Sequence, residues 1–273
     1  MARRRRFGRI RRLRSGRYQA RYLGPDGIDR PAPETFGAKS EAETWLVRKE
    51  AEILDDDWLN PDDGAVLFGV FAESWINERP DLRPKTIELY RYLLRHHLAP
   101  TFGSKPIAEI KDPQVRRWRA QLLDGGTSPV TTAKAYRLLK AILATAVEDG
   151  LLRRNPCRIK GAGQEKSGER PVLTVVQVVT LAEAVAPRYR ALVLLGAFTS
   201  LRWGELCALR RTDIDLAART VRVQRALTEL QRGGLAFGPP KSDAGTRLVV
   251  FPELITPALS GHLANFVAAR RTL

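Results

Sequence analysis

Arg202 lies in a tight Ser-Leu-Arg turn between two apolar stretches, Ala191 to Phe198 and a shorter run through Leu206 and Leu209. A guanidinium set between two buried elements must be paired or aimed at a ligand, because an unpaired buried charge is costly. The residues leave two readings open. One is an ion pair with Glu205, three positions on. The other is a guanidinium presented to a phosphate, gripping two oxygens at once. Lys241 stands in the turn Pro239-Pro240-Lys241-Ser242-Asp243-Ala244-Gly245-Thr246, ahead of the strand-like run Arg247–Phe251. A lysine in such a turn is ordinarily solvated surface. His96, His97 and His262 are too scattered for a zinc site, and Cys157 and Cys207 lack metal-ligand spacing. No cofactor or metal is expected, and both cysteines read as free thiols in a reducing cytoplasm.

The elements that position these residues sit in a strongly basic chain of 273 residues, with 46 lysines and arginines against 30 acids, a net charge of +16. Such an excess favours a polyanion, because each neutralised phosphate releases counterions. The charge is also concentrated: residues 1–30 hold eleven arginines and two aspartates. That distribution points to nucleic acid, with an anionic membrane surface as the competing partner. No run approaches the roughly 20 apolar residues of a membrane span. No apolar segment follows the basic start, so a secretory signal is not indicated and a cytoplasmic location is expected.

Three units are expected. Residues 1–60 form a basic β-β-(β)-α module: Gly16 to Tyr22 alternates like a strand, Gly24-Pro25-Asp26-Gly27 marks a turn, and a second strand follows near Arg30 to Phe36. Ser40 and Glu43 have the spacing of a capping box that opens a helix to about Leu54. Residues 65–160 read as a helical bundle, with a helix from Lys85 to about Leu98 ended by Pro100 and Gly103. A second begins with Asp112 as its cap ahead of Pro113, and a long one begins at Ser128-Pro129. After the glycine-rich stretch 161–170, residues 171–273 carry helices (Thr174–Val185 and Arg188–Phe198) and then strands at Thr220–Val223 and Arg247–Phe251. The fold class is mainly α with small β elements.

The motif Leu201-Arg202-Trp203-Gly204-Glu205-Leu206, followed by Leu209 and Asp213-Ile214-Asp215, resembles the first arginine box of the tyrosine recombinase (phage integrase) family. Ser200 stands where that box most often has glycine. The resemblance implies that Arg202 holds the scissile phosphate and that Glu205 supports it. Lys241 matches the family's hairpin lysine, which implies a general acid that protonates the leaving 5′-oxygen. The stretches Pro84–Tyr90, Leu98–Gly103 and Ala144–Pro156 resemble the family's core-binding domain. On that likeness Lys85, Thr86, Arg91, Thr131, Lys134 and Arg137 are candidate phosphate or groove contacts; each is equally readable as an exposed helix residue. Residues 1–60 resemble an arm-type DNA-binding domain, whose strands enter the major groove. There Arg17, Tyr18, Gln19 and Arg21 flank the strand, while Arg3, Arg4, Arg5 and Arg6 and the run Arg9 to Arg14 would track phosphates. A flexible basic tail without sequence preference is the plainer alternative.

The resemblance implies double-stranded DNA as partner, at attachment-site core and arm sequences, with self-association on DNA and no membrane. The family's later residues are not matched. Tyr18, Tyr22, Tyr90, Tyr92, Tyr136 and Tyr189 all precede Arg202, and His262 is not followed by an arginine at the family's spacing. The expectation is therefore a site-specific recombinase truncated before its tyrosine nucleophile, lacking strand cleavage by itself, with apolar surface exposed around Leu254–Val267. Two other readings are a non-catalytic DNA-binding protein derived from an integrase and, more distantly, a transcription regulator using residues 1–60.

Overall fold

The computed structural model describes residues 6–55, 57–165, 171–230 and 233–267. The chain divides into two compact units, Met1–Pro80 with Tyr90–Lys166 and Asp81–Leu89 with Ser167–Leu273.

The first unit opens with an antiparallel sheet of β1 (Arg9–Arg12), β2 (Tyr18–Leu23) and β3 (Asp29–Pro31), in that spatial order. The β2 side chains alternate between faces. Ala20 and Tyr22 are buried beneath α1 (Lys39–Leu54), which contributes Ala42 and Leu46 to the same core. Phe36 returns to pair with Tyr18 as an isolated bridge, so the expected second strand is a short β3 and a separate contact. The capping expectation is corrected by two residues. Ala38 is the cap of α1, and Glu41 accepts from the Gly37 and Ala38 amides at 3.0 and 3.2 Å. Ser40 lies inside the helix, where its carbonyl accepts from Thr44.

Five α-helices follow: α2 (Phe68–Asn77), α3 (Pro84–Leu93), α4 (Ala99–Phe102), α5 (Asp112–Asp124) and α6 (Pro129–Glu148). Pro100 does not end its helix. The chain widens into a π turn over Leu94–Leu98, where the Ala99 amide reaches the Leu94 carbonyl, and runs helically on to Phe102. Pro100 has no N–H to lose, so it is tolerated at the start of the renewed α-helix. Phe68, Phe102 and Trp118 stack edge-on, and the Trp118 indole donates to the His97 carbonyl at 2.7 Å. Lys111 caps α5, so Asp112 is its first residue, not its cap. The α6 start follows expectation: Ser128 accepts from the Thr131 amide at 3.1 Å and Pro129 takes the first helical position.

Besides Asp81–Leu89, which carries the start of α3, the second unit holds α7 (Val175–Ala184), capped by Thr174, and α8 (Pro187–Thr199). A short α9 (Trp203–Cys207) leads to the antiparallel sheet of β4 (Ile214–Asp215), β5 (Thr220–Val223) and, further on, β8 (Arg247–Val250). Between β5 and β8 the chain forms a hairpin of β6 (Ala226–Glu229) and β7 (Leu235–Gly238), which the sequence reading treats only as turns. Helix α10 (Thr256–Asn265) closes the element order. Val178, Leu194, Leu195, Leu201, Val221, Val223 and Phe251 make the core, completed by Ile255 and Leu259. Of the stretch 254–267, Leu254 and Phe266 are exposed while Ile255, Leu259 and Leu263 are buried.

Candidate functional site

Helix α8 ends with Ser200 in the left-handed region at φ 53° and ψ 27°. This reverses the chain so that Leu201 turns into the core and Arg202 becomes the first residue ahead of α9. A β-carbon strains this conformation and glycine does not, which is why glycine suits the position. Gly204 lets α9 lie directly on β6: a β-carbon there would stand 2.5 Å from the Leu227 carbonyl oxygen. The arginine turn is thus pinned at both ends by backbone geometry.

Glu205 is the buried centre of the site, with its side chain 2% exposed. One oxygen accepts from Arg202 Nη1 at 3.0 Å. The other accepts from the Arg202 amide at 3.0 Å and from Arg247 Nη2 at 2.9 Å. Burial pushes its pKa upward, but the hydrogen bonds from Arg247 and from the Arg202 amide and guanidinium outweigh that and hold it below the usual carboxylate range. The Arg202 side chain is 62% exposed. Both readings of Arg202 therefore coexist in the geometry: one nitrogen is braced by Glu205, and the rest of the guanidinium faces outward, where a planar fork suits a phosphate.

Lys241 is exposed at the start of the turn between β7 and β8, and Pro240 beside it is buried. The turn is held from several sides within this unit. Gly245 and Thr246 amides bond back to Ser242 and Asp243, Gly245 packs so closely on Pro240 that a β-carbon would collide with its ring, and Arg83 donates to the Pro240 carbonyl at 2.8 Å. Lys85 donates to the Glu229 carbonyl at 2.8 Å and approaches Glu88 at 3.7 Å, and Thr86 lines a groove against Ala226, Thr228 and Phe237. A second buried carboxylate, Asp213, takes both Arg225 nitrogens at 3.1 Å and the Arg210 amide at 2.8 Å, which fixes the chain that leaves α9.

The other candidate contacts distribute over the first unit. Gln19 and Arg21 lie on the face of β2 away from α1, opposite Arg11 and Arg9. Asp29 pairs with both Arg9 and Arg21 at 2.6 Å, and Gln19 accepts from Arg11 at 3.4 Å. Arg17 is occupied by Thr35, and Tyr18 packs toward the helix-facing core with Arg12 over its ring. Arg6 is exposed; Arg3, Arg4 and Arg5 lie outside the described residues. Arg91 donates to Asn77 at 2.9 Å, Thr131 shares the Ser128 cap, and Lys134 and Arg137 both face Glu165. Arg137 in turn lowers the Glu165 pKa. Arg247 is the residue that sequence reasoning passes over. Its partner Glu205 is 42 positions away, and only the strand that opens at Arg247 hints at its place.

Two family models match the chain: the phage integrase N-terminal domain over residues 6–55, and the phage integrase N-terminal SAM-like domain over residues 67–123. The prophage phiRv2 integrase of Mycobacterium tuberculosis is 40% identical over 270 residues, covering 97% of this chain and 71% of that protein. The chain belongs to the phage integrase family of tyrosine recombinases. A XerC-like tyrosine recombinase of Caldanaerobacter subterraneus is 30% identical over 79% of this chain and 62% of its own length. Among solved structures, the Tn1549 transposon integrase in complex with transposon right end DNA superposes with a TM-score of 0.65 at 23% identity. That match covers 76% of this chain and 68% of the other, and it places the integrase fold here. No helix among the described residues is long and apolar enough to cross a membrane, and no cluster of three or more metal-ligating side chains occurs among them.

Proposed function

We propose that this integrase-family chain recognises double-stranded DNA at attachment sites and grips one backbone phosphate through Arg202, as the recognition part of site-specific recombination in a bacterial or phage-infected cytoplasm. The observation that carries the reading is the outward-facing Arg202 guanidinium braced from beneath by buried Glu205. A cation held in place this way meets an anionic oxygen without first losing rotational freedom. Lys241, exposed on a turn that its own backbone and Arg83 hold still, is assigned the proton donated to the leaving 5′-oxygen. Residues 1–60 are assigned to arm-type sites, 65–160 to the core site, and 171–273 to the front of the catalytic domain. Arg9, Arg11, Gln19 and Arg21 present the face of the first sheet away from α1 to the DNA, with Arg6 ahead of β1 beside them; Arg91, Thr131, Lys134 and Arg137 serve the helical segment. Several copies assemble on one DNA.

Selection from a random duplex library tests the reading. Enrichment of defined core and arm sequences is expected, with affinity for them reduced in Arg202→Ala. Failure to enrich any sequence overturns attachment-site recognition, and undiminished affinity in Arg202→Ala overturns the phosphate grip.

A further inference from the structure

Arg247 joins the two groups to which the proposed function assigns chemistry. Its Nη2 donates to Glu205 at 2.9 Å, and its Nη1 donates to the Gly245 carbonyl at 3.0 Å. Glu205 holds Arg202 by both its amide and its guanidinium. Gly245 lies in the turn that begins at Lys241 and packs on Pro240. One rigid guanidinium fork thus ties the arginine turn at the start of α9 to the lysine turn ahead of β8. The side chain is 29% exposed, so it is partly withdrawn from water and two of its nitrogens are already engaged. Arg202, at 62%, is the more open of the two arginines on Glu205.

We propose that Arg247 is a positioning residue: it clamps Glu205 and the Gly245 carbonyl together so that Arg202 and Lys241 address the same phosphate. This rests on the phosphate reading of Arg202. Arg247 touches no phosphate itself and acts through Glu205. A lysine in its place has a single nitrogen and no planar fork, so it serves the two acceptors poorly.

The test is a double-mutant cycle on the full chain, read as affinity for a short fluorescent duplex at fixed salt. Arg202→Met in the otherwise unchanged chain is expected to weaken binding by about tenfold, the scale of one arginine contact. In the Arg247→Met background the same change should cost less than about twofold, because Arg202 is already misaligned. Arg247→Lys should fall between the two. If Arg202→Met costs the same with and without Arg247, the positioning role is wrong although the phosphate reading stands. If Arg202→Met costs nothing in the unchanged chain, the phosphate reading falls, and the inference falls with it.

A second readout separates positioning from mere folding. Trp203, next to Arg202 and 69% exposed, can be followed by fluorine NMR after incorporation of fluorotryptophan. Its resonance should report Glu205 ionisation below the usual carboxylate range in the unchanged chain. In Arg247→Met that midpoint should move upward, because the guanidinium that helps hold the carboxylate ionised is gone, and in Arg247→Lys it should move by less. An unchanged midpoint in both variants overturns the proposal.

Discussion

Replacing Glu205 should damage the second unit far more than replacing Arg202, although the two form one ion pair. Glu205→Ala removes a buried acceptor of three hydrogen bonds. The loss of the bond to the Arg202 amide, which caps α9, costs about 1 kcal/mol. The partly buried Arg247 is left without its carboxylate, which adds about 1–2 kcal/mol. Arg202 contributes little to the sum, because a guanidinium this exposed is readily solvated again. The total is about 2–3 kcal/mol, a fall of roughly 10 °C in Tm for a unit of this size. Arg202→Ala instead leaves Glu205 paired with Arg247 and with the backbone amide, and should cost about 0.2–1 kcal/mol. Thermal denaturation of the full chain by calorimetry, with both variants side by side, reads the difference. Equal losses would refute the picture of Glu205 as a buried brace and Arg202 as an outward-facing group. The acid side carries the same signature. Because the Glu205 pKa is held below the usual carboxylate range, its contribution is complete above that range and is lost as pH falls through the lower folded value. Glu205→Ala should therefore flatten the acid limb of the stability curve.

Ser200→Gly should stabilise the chain by about 0.5–1 kcal/mol, because it relieves the left-handed strain at φ 53° while adding some unfolded-state entropy; urea denaturation measures it, and a loss of stability counts against the turn geometry. Gly204→Ala should destabilise by about 1–3 kcal/mol in the same assay, since the new methyl group meets the Leu227 carbonyl and pushes α9 off β6. Burial drives the Cys157 thiol up to about 12, so a thiol-reactive dye at mildly alkaline pH should label Cys157 only after unfolding, as peptide mapping would read.

The parts of this fold that were legible in the sequence are those whose signals are local. Ser128 with Pro129 opens α6 because a hydroxyl acceptor and a residue without an N–H both suit a first turn. The arginine turn was visible through its flanking apolar residues, and glycine's preference at position 200 now has a cause in the left-handed backbone there. What stayed hidden depends on distant partners. The pairing of Asp29 with Arg9 and Arg21 comes from the register of three strands, and no spacing in the chain announces it. The β6–β7 hairpin went unread because Ala-Leu-Thr-Glu and Leu-Ala-Phe-Gly hold few β-branched residues. Helical continuation through Pro100 needed a π turn that sequence rules treat as rare. Arg247 meets Glu205 only after β8 has joined β5 and the intervening hairpin has folded, so its place at the site could not be read from its neighbours.

The claim at the centre of this account is that a basic chain of +16 net charge grips DNA phosphates, one of them through Arg202. Measuring duplex affinity across a salt series for the chain and for Arg202→Ala tests it most directly. The account predicts a linear fall of log affinity with log salt, and a slope shallower by about one for the variant because one fewer phosphate is neutralised. Identical slopes for the two proteins, or affinity indifferent to salt, would contradict it.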